Sequence, residues 1–195
     1  RILYDEKNLY IGAICYDDLS KRKNLRVQNM QRDFEYSEND LFGLAIDGFL
    51  DKRNALAFQT SPYGAQRELQ SFDDEVFNRE WDALWKVRTH INDSCWTAEI
   101  AIPWKTLRYP ANATSVGVIF TRNIRRLNEY DVMPAVPRRF NIYRMSYEGK
   151  IINLQPPPPS PNIQVNPYLF YSDNRIKEGN EPLLIDRNPK IGGEM

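Results

Sequence analysis

Apolar and polar residues alternate along this chain in short runs, and the two-residue period predicts strands, not helices. Residues 1–5 and 9–16 predict a hairpin turned by Asp5-Glu6-Lys7-Asn8. In residues 40–47, Phe42, Leu44 and Ile46 share one face. Residues 54–60 place Leu56 and Phe58 together, and Gly48 to Arg53 turns between these two strands. Residues 83–90 set Trp85, Val87 and Thr89 against Lys86, Arg88 and His90. Trp96, Ala98, Ile100 and Ile102 form the next stripe. Pro103 ends it, and a short helical turn follows at Trp104 to Leu107. Residues 115–124 carry Val116, Val118, Phe120 and Ile124 in one phase, and residues 138–147 suggest one more strand. Amphipathic helix is nearly absent. The pattern therefore predicts an all-β, antiparallel two-sheet sandwich of the jelly-roll type.

Two polar stretches interrupt the strands. Residues 18–36 read as a partly ordered excursion, with a helical turn somewhere in Lys23 to Phe34, and residues 65–80 read as polar and acidic, with Asp73, Asp74 and Glu75 together. The run Pro156-Pro157-Pro158-Pro159-Ser160-Pro161 lacks the N–H groups that a ladder or helix needs, so it reads as a stiff, extended linker. Beyond it Ile163, Val165, Leu169 and Tyr171 alternate as one edge strand, and 174–195 read as loop. The expected organisation is a sandwich over 1–154, a proline linker over 155–161 and an extended tail over 162–195. A strand-like start at Arg1 and an end without a stopping signal at Met195 mark this as a piece of a longer protein.

The composition narrows the function. An apolar fraction of 42% and a charged fraction of 27% fit a folded domain, and a net charge of zero argues against nucleic acid as partner. Cys15 and Cys95 match no metal motif and read as small buried hydrophobes or as a cross-strand pair. The single histidine, His90, lies in the outward phase of its strand, where no serine relay is in evidence. Glu99 and Asp82 are carboxylates of the kind that glycosidases pair, but among 26 acidic residues such pairs arise by chance. The chain reads as a binder without catalysis.

The candidate ligand groups are aromatic. Trp81 and Trp85 fall in one phase, and Trp104 sits just past a strand end beside Lys105 and Arg108. These indoles either fill the core or offer flat faces to sugar rings, with Arg108 and Arg125 fixing hydroxyls. Trp96 heads an inward stripe and reads as core. Asp40, Asp47 and Asp51 lie around one turn and supply the hard oxygens that calcium prefers, or else a solvated hairpin tip. Arg122, Arg125, Arg126, Arg138, Arg139 and Arg144 form the strongest charge bias and suit pairing with the acidic 73–80 stretch.

Several segments together resemble a known family. They are Asn8-Leu9-Tyr10-Ile11-Gly12, Arg32-Asp33, Asn39-Asp40-Leu41-Phe42 with Ile46-Asp47, Ala57-Phe58-Gln59-Thr60 with Gly64-Ala65-Gln66, and Trp81-Asp82 with Trp85. The most specific are Trp96-Thr97-Ala98-Glu99-Ile100-Ala101-Ile102-Pro103-Trp104 with Leu107-Arg108-Tyr109, and Gly117 to Arg126 with Asn128-Glu129. Over residues 1 to 154 the chain resembles the carbohydrate-binding module family 9-like domain. In detail it is similar to the subgroup fused to an outer-membrane β-barrel in Bacteroidetes-type bacteria (the DUF5916 type). The resemblance implies a jelly-roll sandwich and an oligo- or polysaccharide ligand clamped by aromatic residues. It also implies calcium ions bracing loops, a periplasmic or outer-membrane location in a Gram-negative bacterium, and a barrel of the same protein as partner. The O-glycosyl hydrolase label of xylanase-associated modules travels with the family. The alternative is a structural or interaction domain of the barrel protein with no sugar ligand.

Overall fold

The computed structural model describes residues 1–19, 24–160, 166–176 and 184–194. The chain divides into two units, Arg1–Ser160 and Pro161–Met195. In the first unit the strands are β1 (Ile2–Tyr4), β2 (Asn8–Tyr16), β3 (Leu41–Asp47), β4 (Ala55–Thr60), β5 (Gln66–Phe72), β6 (Val76–Asn78), β7 (Lys86–Ile91), β8 (Cys95–Pro103), β9 (Ser115–Ile124), β10 (Glu129–Met133) and β11 (Gly149–Ile152). One sheet has four strands in the order β1-β2-β8-β7. The other has seven, in the order β10-β9-β3-β4-β5-β6, with β11 also paired to β9. Every pairing is antiparallel. The expected two-sheet sandwich is the observed one.

The core lies where the alternation puts it. Leu9, Ile11, Ile100 and Ile102 from the four-stranded sheet meet Leu44, Ile46, Phe58, Val116 and Val118 from the larger one. Each fully enclosed aliphatic side chain contributes about 1.5–3 kcal/mol relative to exposure. Cys15 and Cys95 are both buried and both free. Across β2 and β8 Cys15 stands opposite Trp96 and Cys95 opposite Tyr16, one step out of register.

The larger sheet is buried on both sides, which the alternation did not predict. Its outer face carries Ala45, Ala55, Ala57, Leu69 and Ile119, and Tyr143 and Met145 pack over them. The segment between β10 and β11 thus adds a third layer. Small residues on that face leave room for it, and a continuous apolar run on both faces is the mark of a doubly buried strand.

Two local expectations are corrected. Residues 138–147 are turns and a 3-10 turn (Met145–Tyr147), with strands on either side at β10 and β11. Residues 65–80, polar and acidic in sequence, hold the strands β5 and β6, and Arg67, Glu68 and Ser71 of β5 are buried. In the second unit, 184–194 is a strand and not a loop. There β12 (Asn166–Ile176) and β13 (Leu184–Glu194) form an antiparallel ladder eleven residues long. The helical turn expected in Lys23 to Phe34 lies partly outside the described residues. From 26 to 31 the chain runs without regular structure.

Candidate functional site

Three of the four indoles are enclosed in the core. Trp85 is 6% exposed, with its N–H donating to Glu68 Oε2 at 3.0 Å and its ring 5.5 Å from Phe58. Trp104 is 3% exposed; its N–H donates to the Asp5 carbonyl at 2.8 Å, and its ring lies edge-on between Tyr4 and Tyr109. Trp81 is half-buried against the edge of Phe58. Trp96 is core, as its stripe implied. An enclosed indole has no face left for a sugar, so stacking on Trp85 and Trp104 is corrected by their burial. The same phase that aligned Trp81 with Trp85 directs both at Phe58 between the sheets.

The three aspartates do not converge either. Asp40 receives the N–H groups of Arg26 and Arg125, at 2.7 and 2.6 Å, and burial raises its pKa. Asp51 receives those of Arg53 and Asn54. Both act as clamps on their own loops, and among the described residues no three acidic, histidine or cysteine side chains gather around one point. Asp47 differs. Its carboxylate takes the N–H groups of Phe49 and Lys52, and Glu148 lies beside it. Both Glu148 oxygens are buried, and among the described residues they have no hydrogen-bond donor beyond that acid pair. The Glu148 carboxyl occupies the space above Gly117, the residue opposite Asp47 on β9, so a side chain at 117 would expel it. Burial first, then the Asp47 charge and hydrogen bond, push Glu148 up to about 8.

A polar row crosses the outer face of the larger sheet. Register aligns Val132, Thr121, Gly43, Gln59 and Arg67 on successive strands. Gly43 is required there, because a Cβ would lie 2.9 Å from both Gln59 and Thr121. Arg67 donates to Gln59 Oε1 at 2.5 Å, and Gln59 donates its amide N–H to the Tyr143 hydroxyl. The Arg67 guanidinium lies 5.9 Å from the Tyr36 ring, and Tyr36 stacks on Tyr130 at 5.6 Å and 14°. Tyr130 is 41% exposed.

Tyr130 opens into a groove of about 760 Å³, which Asn128, Glu129, Asp131, Arg138 and Phe140 also line. Arg139 and Arg144 stand over the Phe140 ring at 4.7 and 4.8 Å. Asn128, in the left-handed conformation that ends the 3-10 turn Arg125–Leu127, is shared with a second cleft of about 580 Å³. Arg26, Gln28, Glu38, Arg125 and Arg126 line that cleft. Asp40 ties its two walls by holding Arg26 and Arg125 together. Arg125 thus lines this cleft. Arg108 lines a separate pocket of about 330 Å³ with Asp47 and Phe49. Of the arginine cluster, Arg144 pairs with Asp74 and Glu75, while Arg122 and Arg126 face Asp17.

No family profile matches the chain in sequence, and no curated protein does. Solved structures do match in fold. One is a protein of Bacteroides uniformis proposed to bind carbohydrate, with a TM-score of 0.63 and 9% identity, covering 77% of this chain and 75% of that one. Another is a carbohydrate-binding module of family 9 from Caldicellulosiruptor kristjanssonii, in complex with glucose. Its TM-score is 0.52 at 15% identity, covering 84% of this chain and 78% of that one. The first unit thus shares the β-sandwich fold of these structures. At these identities the likeness establishes the fold.

Proposed function

We propose that the first unit is a non-catalytic carbohydrate-binding module, and that it takes its glycan in the groove beside Tyr130 in place of an indole clamp. The observation that carries this reading is the groove's lining. It joins the exposed Tyr130 ring, with the half-buried Phe140 beside it, to an amide, two carboxylates and a guanidinium. Aromatic faces take the C–H side of a pyranose, and forked polar groups take its hydroxyls. The fold likeness to modules crystallised with glucose supports the class of ligand. A glycan array probed with the whole chain and with Tyr130→Ala tests it. Retention of oligosaccharides by the wild type and their loss in the variant is the expected result. An array with no retained glycan favours the second reading, a structural domain without ligand, which the three core indoles, Trp85, Trp96 and Trp104, support.

We place the protein at the periplasmic face or in the outer membrane of a Gram-negative bacterium, beside a β-barrel of the same protein. The β12–β13 ladder supports this. Its eleven-residue strands match the roughly 9–11 residues of a barrel strand, and Leu169, Tyr171 and Ile191 are exposed on it. The calcium implied by the family does not fit Asp40 or Asp51, whose oxygens already hold N–H groups. Asp47 too holds the Phe49 and Lys52 N–H groups, but Glu148 lies beside it with both oxygens lacking a donor other than Asp47, so the Glu148–Asp47 pair is where a calcium ion would sit. There it would neutralise the pair and brace the 134–148 layer against the sheet.

A further inference from the structure

The proposed glycan site leaves part of the arginine cluster unused. Arg122 and Arg126 are answered by Asp17, and Arg144 by Asp74 and Glu75. Arg26 and Arg125 are not: among the described residues no carboxylate lies within ion-pair distance of either. Both line the cleft of about 580 Å³ that shares Asn128 with the groove beside Tyr130. Arg26 is exposed and Arg125 half-buried, so a ligand in the cleft reaches both. A guanidinium has five N–H donors in a planar fork. One of those on Arg125 goes to Asn128 Oδ1 at 2.9 Å, and among the described residues the Arg26 guanidinium makes no hydrogen bond. Glu38 is the acid that lines the same cleft, so positive charge is in excess there.

Buried polar groups build this cleft. Asp40 is 3% exposed and joins the two walls. Its oxygens take the main-chain N–H groups of Arg26 and Arg125, and its own N–H donates to the Arg26 carbonyl at 2.6 Å. Asn39, fully buried, takes the Gln28 N–H at 2.6 Å, and its carbonyl accepts from Asn123 at 2.8 Å. These bonds hold the main chain and use none of the guanidinium donors. The fold thus fixes two like charges on the walls of one cleft, which costs repulsion until an anion answers them. The neighbouring groove has the other character. Glu129 and Asp131 line it against one arginine, Arg138, so a neutral sugar unit suits Tyr130 and an anion suits the cleft.

We propose that the glycan taken beside Tyr130 carries an anionic group, a carboxylate or a sulfate ester, on the unit adjoining the one at Tyr130, and that Arg26 and Arg125 receive that group across Asn128. This rests on the reading of the unit as a carbohydrate-binding module with its site at Tyr130. It names the class of glycan, a chain of neutral units with an occasional acid. Guanidinium forks take carboxylate or sulfate oxygens through paired N–H bonds, and two solvent-accessible pairs of this kind contribute roughly a fivefold to tenfold gain in affinity. The gain is electrostatic, so it falls as salt rises.

Isothermal titration of the whole chain with two pairs of ligands tests this: xylotriose with and without a glucuronic acid branch, and cellotriose with and without a single sulfate. The expected result is a charged ligand that binds roughly fivefold tighter, or more, than its neutral parent at low salt, with the gain gone at about 0.5 M salt. The pair that shows the gain identifies the anion. Arg26→Gln and Arg125→Gln should each reduce the charged-to-neutral ratio and together bring it to unity, whereas Tyr130→Ala should weaken both members of a pair alike. The Arg26 guanidinium holds no part of the described fold, so Arg26→Gln decides the matter where melting curves show that an Arg125 variant fails to fold. Equal binding of both charged ligands and their parents overturns the anionic preference and leaves the module reading intact. A gain that survives in the folded arginine variants removes the cleft from the site. Binding of none of the four, together with an empty glycan array, overturns the module reading itself.

Discussion

Replacing Glu148 with glutamine tests the buried acid pair. The substitution keeps the shape, offers an amide N–H to Asp47 and removes one negative charge. With a folded-state pKa of about 8 against an ordinary 4.5, the folded chain holds a proton that the unfolded chain releases. Stability therefore falls as pH rises between those values: the contribution is whole below the lower one and lost above the upper one. Unscreened, the shift corresponds to ~5 kcal/mol at ~1.4 kcal/mol per pH unit. The side chain is only partly enclosed, and solvent screening reduces this to ~2 kcal/mol. For a domain of this size that is ~4–8 °C in Tm. Thermal melts in EDTA should give equal Tm values for wild type and Glu148→Gln near about pH 5, and a higher Tm for the variant near about pH 9. A wild-type Tm that does not decline across this range, or a variant that declines in parallel, refutes the argument.

Further expectations follow from the same contacts. Trp104→Ala removes a core ring and its bond to the Asp5 carbonyl, and should cost ~3–5 kcal/mol in urea unfolding. Trp85→Phe strands an acceptor on buried Glu68 and should cost ~1–3 kcal/mol in the same assay, with glycan affinity unchanged. Tyr130→Ala should weaken glycan binding by ~3–10-fold, read by titration, and leave Tm within ~1 °C, because the ring stacks at the rim of the fold. Millimolar calcium should raise the wild-type Tm at about pH 8 but not that of Glu148→Gln. An equal response in both removes calcium from that pair.

The sandwich was legible because its inward stripes are long and clean. Phe42-Leu44-Ile46 and Ala98-Ile100-Ile102 mark the faces that meet between the sheets. The indoles were legible as aromatic but not as buried, since a period of two cannot separate a residue facing the other sheet from one facing water. The outer layer was hidden for a related reason. Ala45, Ala55 and Ala57 read as unremarkable small residues until Tyr143 and Met145, about 90 positions on, are seen to cover them. That distance also hid Glu148 from Asp47. The signal that could have exposed the polar row on that face was Gln59 and Arg67, polar residues in the same phase as Ala57 and Leu69. They form one row only once β4 and β5 are known to pair.

The central claim is that this sandwich reads glycan on the outer face of its larger sheet and uses its indoles to hold itself together. Amide and indole NMR spectra recorded during titration with an oligosaccharide that binds test it most directly. The predicted shifts fall at Asn128, Tyr130, Arg138 and Phe140, with the Trp85 and Trp104 indole signals unmoved. Shifts that centre on those two indoles, and spare Tyr130, contradict it.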